Sequence, residues 1–234
     1  MPIREDFKKV LIIGSGPIRI GQACEFDYSG TQACKALREM GYTIVLANSN
    51  PATIMTDANM ADSTYIVPLN VKNLEEIIIK ERPQALLPNL GGQSGLNLCL
   101  ELHKAGILAR YNVEVIGVHI DTIEKGEDRI AFKESMKRIG IEMAHSEEAY
   151  SVEEAVSIAK KLSYPVVVRP AFTMGGEGGG LVYNEEELRL VAGRGIAASM
   201  INQVLIEESV LGWLELELEV VRDKDGQMIT VCFI

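Results

Sequence analysis

At 234 residues, 47% hydrophobic and 24% charged, the chain is long enough for one large or two modest domains, each with its own core. Lys plus Arg number 23 against 33 Asp plus Glu, a net charge of −10 that argues against a nucleic-acid groove or an anionic membrane as main partner. Cys24, Cys34, Cys99 and Cys232 are widely spaced and form no CxxC pair. With no secretory h-region and no membrane span either, a cytosolic chain with free thiols is expected.

Val10-Leu11-Ile12-Ile13 is an unbroken apolar run ending in Gly14-Ser15-Gly16-Pro17, the pattern of a buried parallel strand followed by a tight turn. A helix over 22–40 closes at Gly41, and a strand follows over 43–47. Further on come a helix over 74–81 stopped before Pro83, a strand over 85–87, a helix over 94–105 and a strand over 113–117. This alternation predicts a doubly wound parallel sheet over the first ~120 residues.

Beyond Ile123 the texture changes. A charged amphipathic helix is expected over 127–139, and a second over 152–162 with Ser151 and Glu154 in capping-box spacing. Strands are expected over 165–169, 180–183 and 204–207, with a helix over 185–192. An antiparallel pair over 216–222 and 228–234 should flank a turn at 223–226. The sequence stops inside that last strand, which reads as a fragment of a longer chain. The expected division is 1–126, 127–207 and 208–234.

Two glycine clusters invite functional readings. Gly14-x-Gly16 after a strand suggests a dinucleotide turn, but Arg19 stands where the third glycine belongs. No acidic residue follows the second strand, which runs into Asn48-Ser49-Asn50-Pro51. A plain strand-to-helix turn, or a substrate-facing loop, fits better than NAD. The run Gly175 to Gly180 holds five glycines in six residues between two strands, where glycine cannot be serving packing. Bare N–H groups and close backbone approach suit a mobile flap over phosphates, and Arg169 would bring a positive fork to the same place. A flexible surface hairpin is the alternative.

The stretch from Arg169-Pro170-Ala171-Phe172-Thr173-Met174 through Gly180 is similar to the ATP-grasp flap of the carbamoyl-phosphate synthase large-subunit family. The segment from Gly14 to Gly30, the Asn48 to Asp57 segment and Gly91-Gly92-Gln93 resemble that family in the same order along the chain. The resemblance implies an α/β fold: a Rossmann-like pre-ATP-grasp domain, an ATP-grasp lid and the truncated start of an ATP-grasp core. It implies ATP as cofactor, phosphorylation of bicarbonate to carboxyphosphate, and attack by ammonia released on a partner glutaminase small subunit. The carboxy-terminal half of the same large subunit would phosphorylate the resulting carbamate.

By the same resemblance, Arg129 and Arg169 are the catalytic phosphate-binding pair, and Gly175 and Gly176 the flap contacts. Glu208 with the backbone at Val210 would read adenine, and Glu215 the ribose hydroxyls. Read without the family, Arg129 is a solvated helix residue, and Glu208 and Glu215 belong to an exposed acidic face. Magnesium or manganese is expected on ligands beyond residue 234, which would leave this piece inactive. Two rivals stand beside this reading. A biotin carboxylase would carry a lysine in its glycine loop, and 170–183 has none. A nucleotide-binding module without chemistry is the other.

Overall fold

The computed structural model describes residues 4–17, 23–127, 129–171, 178–199, 201–223 and 225–233. The chain divides into two compact units, Met1–Ile139 and Gly140–Ile234, each with its own core.

In the first unit the apolar run forms β1 (Lys9–Ile13), in which Val10 to Ile13 are wholly buried because both faces of the strand are covered. It pairs in parallel with β2 (Thr43–Asn48) on one side, and β2 carries β3 (Ser63–Ile66) outside it. On the other side lie β4 (Ala85–Leu87) and then β5 (Glu114–Val115), giving a five-stranded parallel sheet in the order β3-β2-β1-β4-β5. Helix α1 (Ala23–Glu39) connects β1 to β2, and α2 (Val71–Glu81) connects β3 to β4. Helices α3 (Gly92–Lys104) and α4 (Ile107–Arg110) lead from β4 to β5.

Alternation along β1 splits the core in two. Leu11 and Ile13 pack with Leu74, Ile78, Leu98 and Leu102, while Val10 and Ile12 pack with Cys34, Met55 and Ala61 on the opposite face. The chain then forms α5 (Ile120–Glu127) and α6 (Arg129–Arg138), which pack against each other.

The second unit has a different architecture. Strand β6 (Ser146–Ala149), helix α7 (Val152–Leu162), strands β7 (Val166–Pro170) and β8 (Gly180–Val182), helix α8 (Glu185–Ala198) and strand β9 (Val204–Glu208) build an antiparallel sheet in the order β6-β9-β7-β8. Ser151 accepts from the Glu154 N–H at 3.2 Å and starts α7 as its spacing predicts. Asn184 does the same for Glu187 at 2.9 Å at the head of α8. Both helices cover one face, where Ala155, Ala159, Leu188 and Ala192 meet Val166, Val168, Val204 and Ile206. Strands β10 (Leu218–Arg222) and β11 (Met228–Phe233) form an antiparallel hairpin separate from that sheet.

The parallel and antiparallel sheets are distinct. The fold is therefore mixed α/β, with its parallel sheet confined to the first unit. Among the described residues no helix is long and apolar enough to cross a membrane.

Candidate nucleotide site

Successive residues on β7 point to opposite faces, so burying Val166, Val168 and Pro170 under the helices turns Val167 and Arg169 to the open face. On the neighbouring β9 the same alternation buries Val204 and Ile206 and turns Leu205 and Glu207 outward. Arg169 pairs in register with Leu205, and Val167 with Glu207, which sets Arg169 and Glu207 diagonally across the two strands. The Arg169 Nε–H donates to Glu207 Oε1 at 3.0 Å. Among the described residues this is the one polar contact of the Arg169 side chain, and its Nη1 and Nη2 donors are left to solvent.

Glu208 ends β9 and is half-buried. Its N–H donates to the His145 carbonyl at 2.9 Å, and its Oε1 accepts from the His145 N–H at 2.9 Å. One carboxylate oxygen is thus committed to the start of the β6 segment. The chain then turns. The Ser209 hydroxyl accepts from the Leu211 N–H at 3.2 Å, the Val210 carbonyl accepts from the Trp213 N–H at 3.0 Å, and Gly212 takes φ +86°. The Val210 N–H has no partner among the described residues. Glu215 lies in the exposed segment before β10.

The structure thus brings Arg169, Glu208 and Val210 onto neighbouring stretches of one unit, with Glu215 a few residues further along. Gly175 and Gly176 lie outside the described residues. Arg129 opens α6 in the other unit, and its side chain is likewise outside them. Glu207 closes the strand expected over 204–207, but sequence reasoning missed it as the partner of Arg169. The period-2 pattern could have put it on the open face, but not beside Arg169, because the pairing of β7 with β9 is not written in either strand.

The first glycine cluster has a local cause. A Cβ on Gly14 would lie 2.6 Å from Asn48 Cγ, and Gly16 takes φ +72° while its N–H donates to Asn48 Oδ1 at 3.0 Å. Asn48 therefore locks the turn. Asp27 holds the following loop by accepting from the Ile54 and Met55 N–H groups, both at 2.9 Å. A cleft of about 400 Å³ opens at the carboxyl ends of β1 and β2, lined by Gly16, Pro17, Ser49, Leu69 and Ser94 among others. Open parallel sheets hold ligands in such places. Among the described residues no charged side chain lines this one.

A family model of the carbamoyl phosphate synthase preATP-grasp domain matches residues 6–125. A model of the carbamoyl-phosphate synthase L chain, ATP binding domain, matches residues 128–234. The chain is 60% identical, over all its residues, to the carbamoyl phosphate synthase large chain of Archaeoglobus fulgidus, of which it covers 22%. It is 57% identical to the large chain N-terminal section of Aquifex aeolicus, of which it covers 42%. The chain therefore spans less than half the length of these relatives.

Among solved structures, the biotin carboxylase domain of Hydrogenobacter thermophilus 2-oxoglutarate carboxylase matches with a TM-score of 0.73 and 26% identity, over 98% of this chain and 50% of its own. That protein was solved with MgADP, ADP and bicarbonate. Biotin carboxylase from Campylobacter jejuni matches with a TM-score of 0.75 over 97% of this chain and 50% of its own, at 21% identity, a likeness of fold. Matched in order by both family models and by relatives along its whole length, the chain belongs to the carbamoyl phosphate synthase large-chain family and falls within the N-terminal section of that chain.

Proposed function

We propose that this chain supplies part of an ATP site at which bicarbonate is phosphorylated to carboxyphosphate, the first step of carbamoyl phosphate synthesis. The observation that carries this reading is the Arg169 guanidinium, presented on the open face of β7 next to β9, the strand that runs on into Glu208 to Val210. Phosphoryl transfer asks for positioning and charge neutralisation more than for covalent help. In an otherwise acidic chain, a strand-borne arginine whose Nη donors have no partner among the described residues meets that demand.

In this reading Arg169 and Arg129 bind the transferring phosphate, and Gly175 and Gly176 close over it through backbone N–H groups. The Val210 N–H reads the adenine edge beside Glu208, and Glu215 accepts from the ribose hydroxyls. Ammonia comes from a glutaminase small subunit, and the carboxy-terminal half of the large chain phosphorylates the carbamate. The biotin carboxylase domain solved with MgADP and bicarbonate supports pairing this fold with those two ligands. The work assigned to these side chains is binding and orientation, with magnesium or manganese held by ligands beyond residue 234.

The test is bicarbonate-dependent ATP hydrolysis by the full-length large chain. Arg169→Ala and Arg129→Ala should each lower the rate on the order of 100-fold, about 3 kcal/mol of transition-state stabilisation. Glutamine hydrolysis by the small subunit should persist. A near-parental rate for either variant removes that arginine from the site.

A further inference from the structure

We propose that Glu207 is the positioning residue for Arg169, holding its guanidinium by Nε so that the Nη1 and Nη2 edge stays turned toward a phosphate. The proposal rests on Arg169 being a phosphate ligand. Arg169 is 51% exposed at its side chain and Glu207 only 20%, so the carboxylate is the more closely packed member of the pair and the arginine the one that reaches outward. Their diagonal placement on β7 and β9 is set by the strand register, and the 3.0 Å contact joins one carboxylate oxygen to the single N–H of Nε.

An ion pair this open adds little to the stability of the fold. What it changes is freedom. An unheld arginine on a strand samples many rotamers and loses them when it grips an anion, whereas one held at Nε has already lost most of them. Engagement at Nε also leaves the end-on fork of Nη1 and Nη2, which matches two oxygens of a phosphate. Glu207 itself needs no contact with the nucleotide.

This role depends on an acceptor oxygen at the right reach more than on negative charge. Glu207→Gln keeps the acceptor and should remain within about threefold of the parent in kcat/KM for ATP. Glu207→Ala frees the guanidinium and should lower kcat/KM about tenfold. Glu207→Thr, which suits a strand and also lacks an acceptor at that reach, should match the alanine variant and serves where the alanine variant does not fold. In an Arg169→Ala background, Glu207→Ala should cause no further loss, because its effect passes through Arg169.

The assay is bicarbonate-dependent ATP hydrolysis by the full-length large chain, with thermal melts to confirm folding. Loss in Ala or Thr, rescue in Gln and no added loss without Arg169 support the proposal. Losses additive with Arg169→Ala, or equal in Ala and Gln, overturn it. A parental rate in both Ala and Thr overturns it too, while an impaired Arg169→Ala would leave the reading of the site standing. A parental rate for Arg169→Ala itself removes that reading and the proposal together.

Discussion

The Tyr65 hydroxyl donates to Glu81 Oε1 at 2.6 Å, and the Lys9 ammonium donates to Glu81 Oε2 at 3.0 Å, joining β3 and β1 to the end of α2. These contacts hold the Glu81 carboxyl below its ordinary value of 4.5, the Tyr65 hydrogen bond contributing most and partial burial opposing. A carboxyl depressed in the folded state stabilises it above the unfolded value, and that contribution is lost as pH falls through the depressed one. Tyr65→Phe removes the largest cause and leaves a ring under the Lys80 ammonium, 5.0 Å from its centroid in the parent. The variant should lose about 1–2 kcal/mol at pH ~7 by denaturant titration. The deficit should shrink as pH falls below ~4.5, where the parent loses the same contribution. An equal deficit at both ends of that range would refute the linkage.

At the level of elements, two glycines inside α8 make a paired experiment. A Cβ on Gly195 would lie 2.9 Å from Val204 Cγ1, 3.0 Å from the Gly178 carbonyl oxygen and 3.1 Å from Pro170 Cγ. The helix gives up propensity at Gly195 to let β9 and the end of the glycine-rich segment approach. Gly195→Ala should destabilise by about 1–3 kcal/mol, because overpacking outweighs the helical gain. Gly193→Ala meets nothing nearer than Val152 Cγ2 at 3.9 Å and should stabilise by about 0.5–1 kcal/mol. Thermal melts of the two variants decide it, and shifts of the same sign would refute the packing argument.

Those glycines also explain why the sequence suggests a helix ending near 192 where the structure continues it to Ala198. Long elements with buried faces were legible: β1, α1, α7 and β9 lie within a few residues of their expected bounds. Strands β3 and β6 were not. Ser63–Ile66 is half-exposed at a sheet edge, and Ser146–Ala149 carries two glutamates with one neighbour, so neither shows an apolar run. Helix α5 was not expected, because Gly126 and the polar residues around it hide a helix of only eight residues. Arg169 drew attention in the sequence from its place before the glycines. Its tie to Glu207 was not legible, because that depends on strand register.

Taken as a whole chain, the two units bury their cores well, whereas the β10–β11 hairpin leaves apolar side chains open on both faces. Leu218 is 57% exposed, Ile229 64% and Phe233 64%. A two-stranded ribbon is marginal by itself, and one with apolar residues on both faces tends to pair with another surface. Cys232 on β11 is exposed and reports on this hairpin. Cys34 and Cys99 are buried, and desolvation pushes both thiols up to about 11, so neither has appreciable thiolate at neutral pH. In dilute solution of the 234-residue chain, a thiol reagent at pH ~7 should modify Cys232 rapidly and Cys34 and Cys99 slowly. Peptide mapping assigns each cysteine. As the chain is concentrated, Cys232 labelling should slow while the buried thiols are unchanged, because hairpins cover one another. Ile229→Glu puts a charge on the ribbon and should abolish that concentration dependence without altering the rates of Cys34 and Cys99. Labelling of Cys232 that is slow even at high dilution would mean that the hairpin is covered within the single chain. Labelling of Cys34 or Cys99 as fast as Cys232 would mean that the first unit's core opens as readily as the ribbon does.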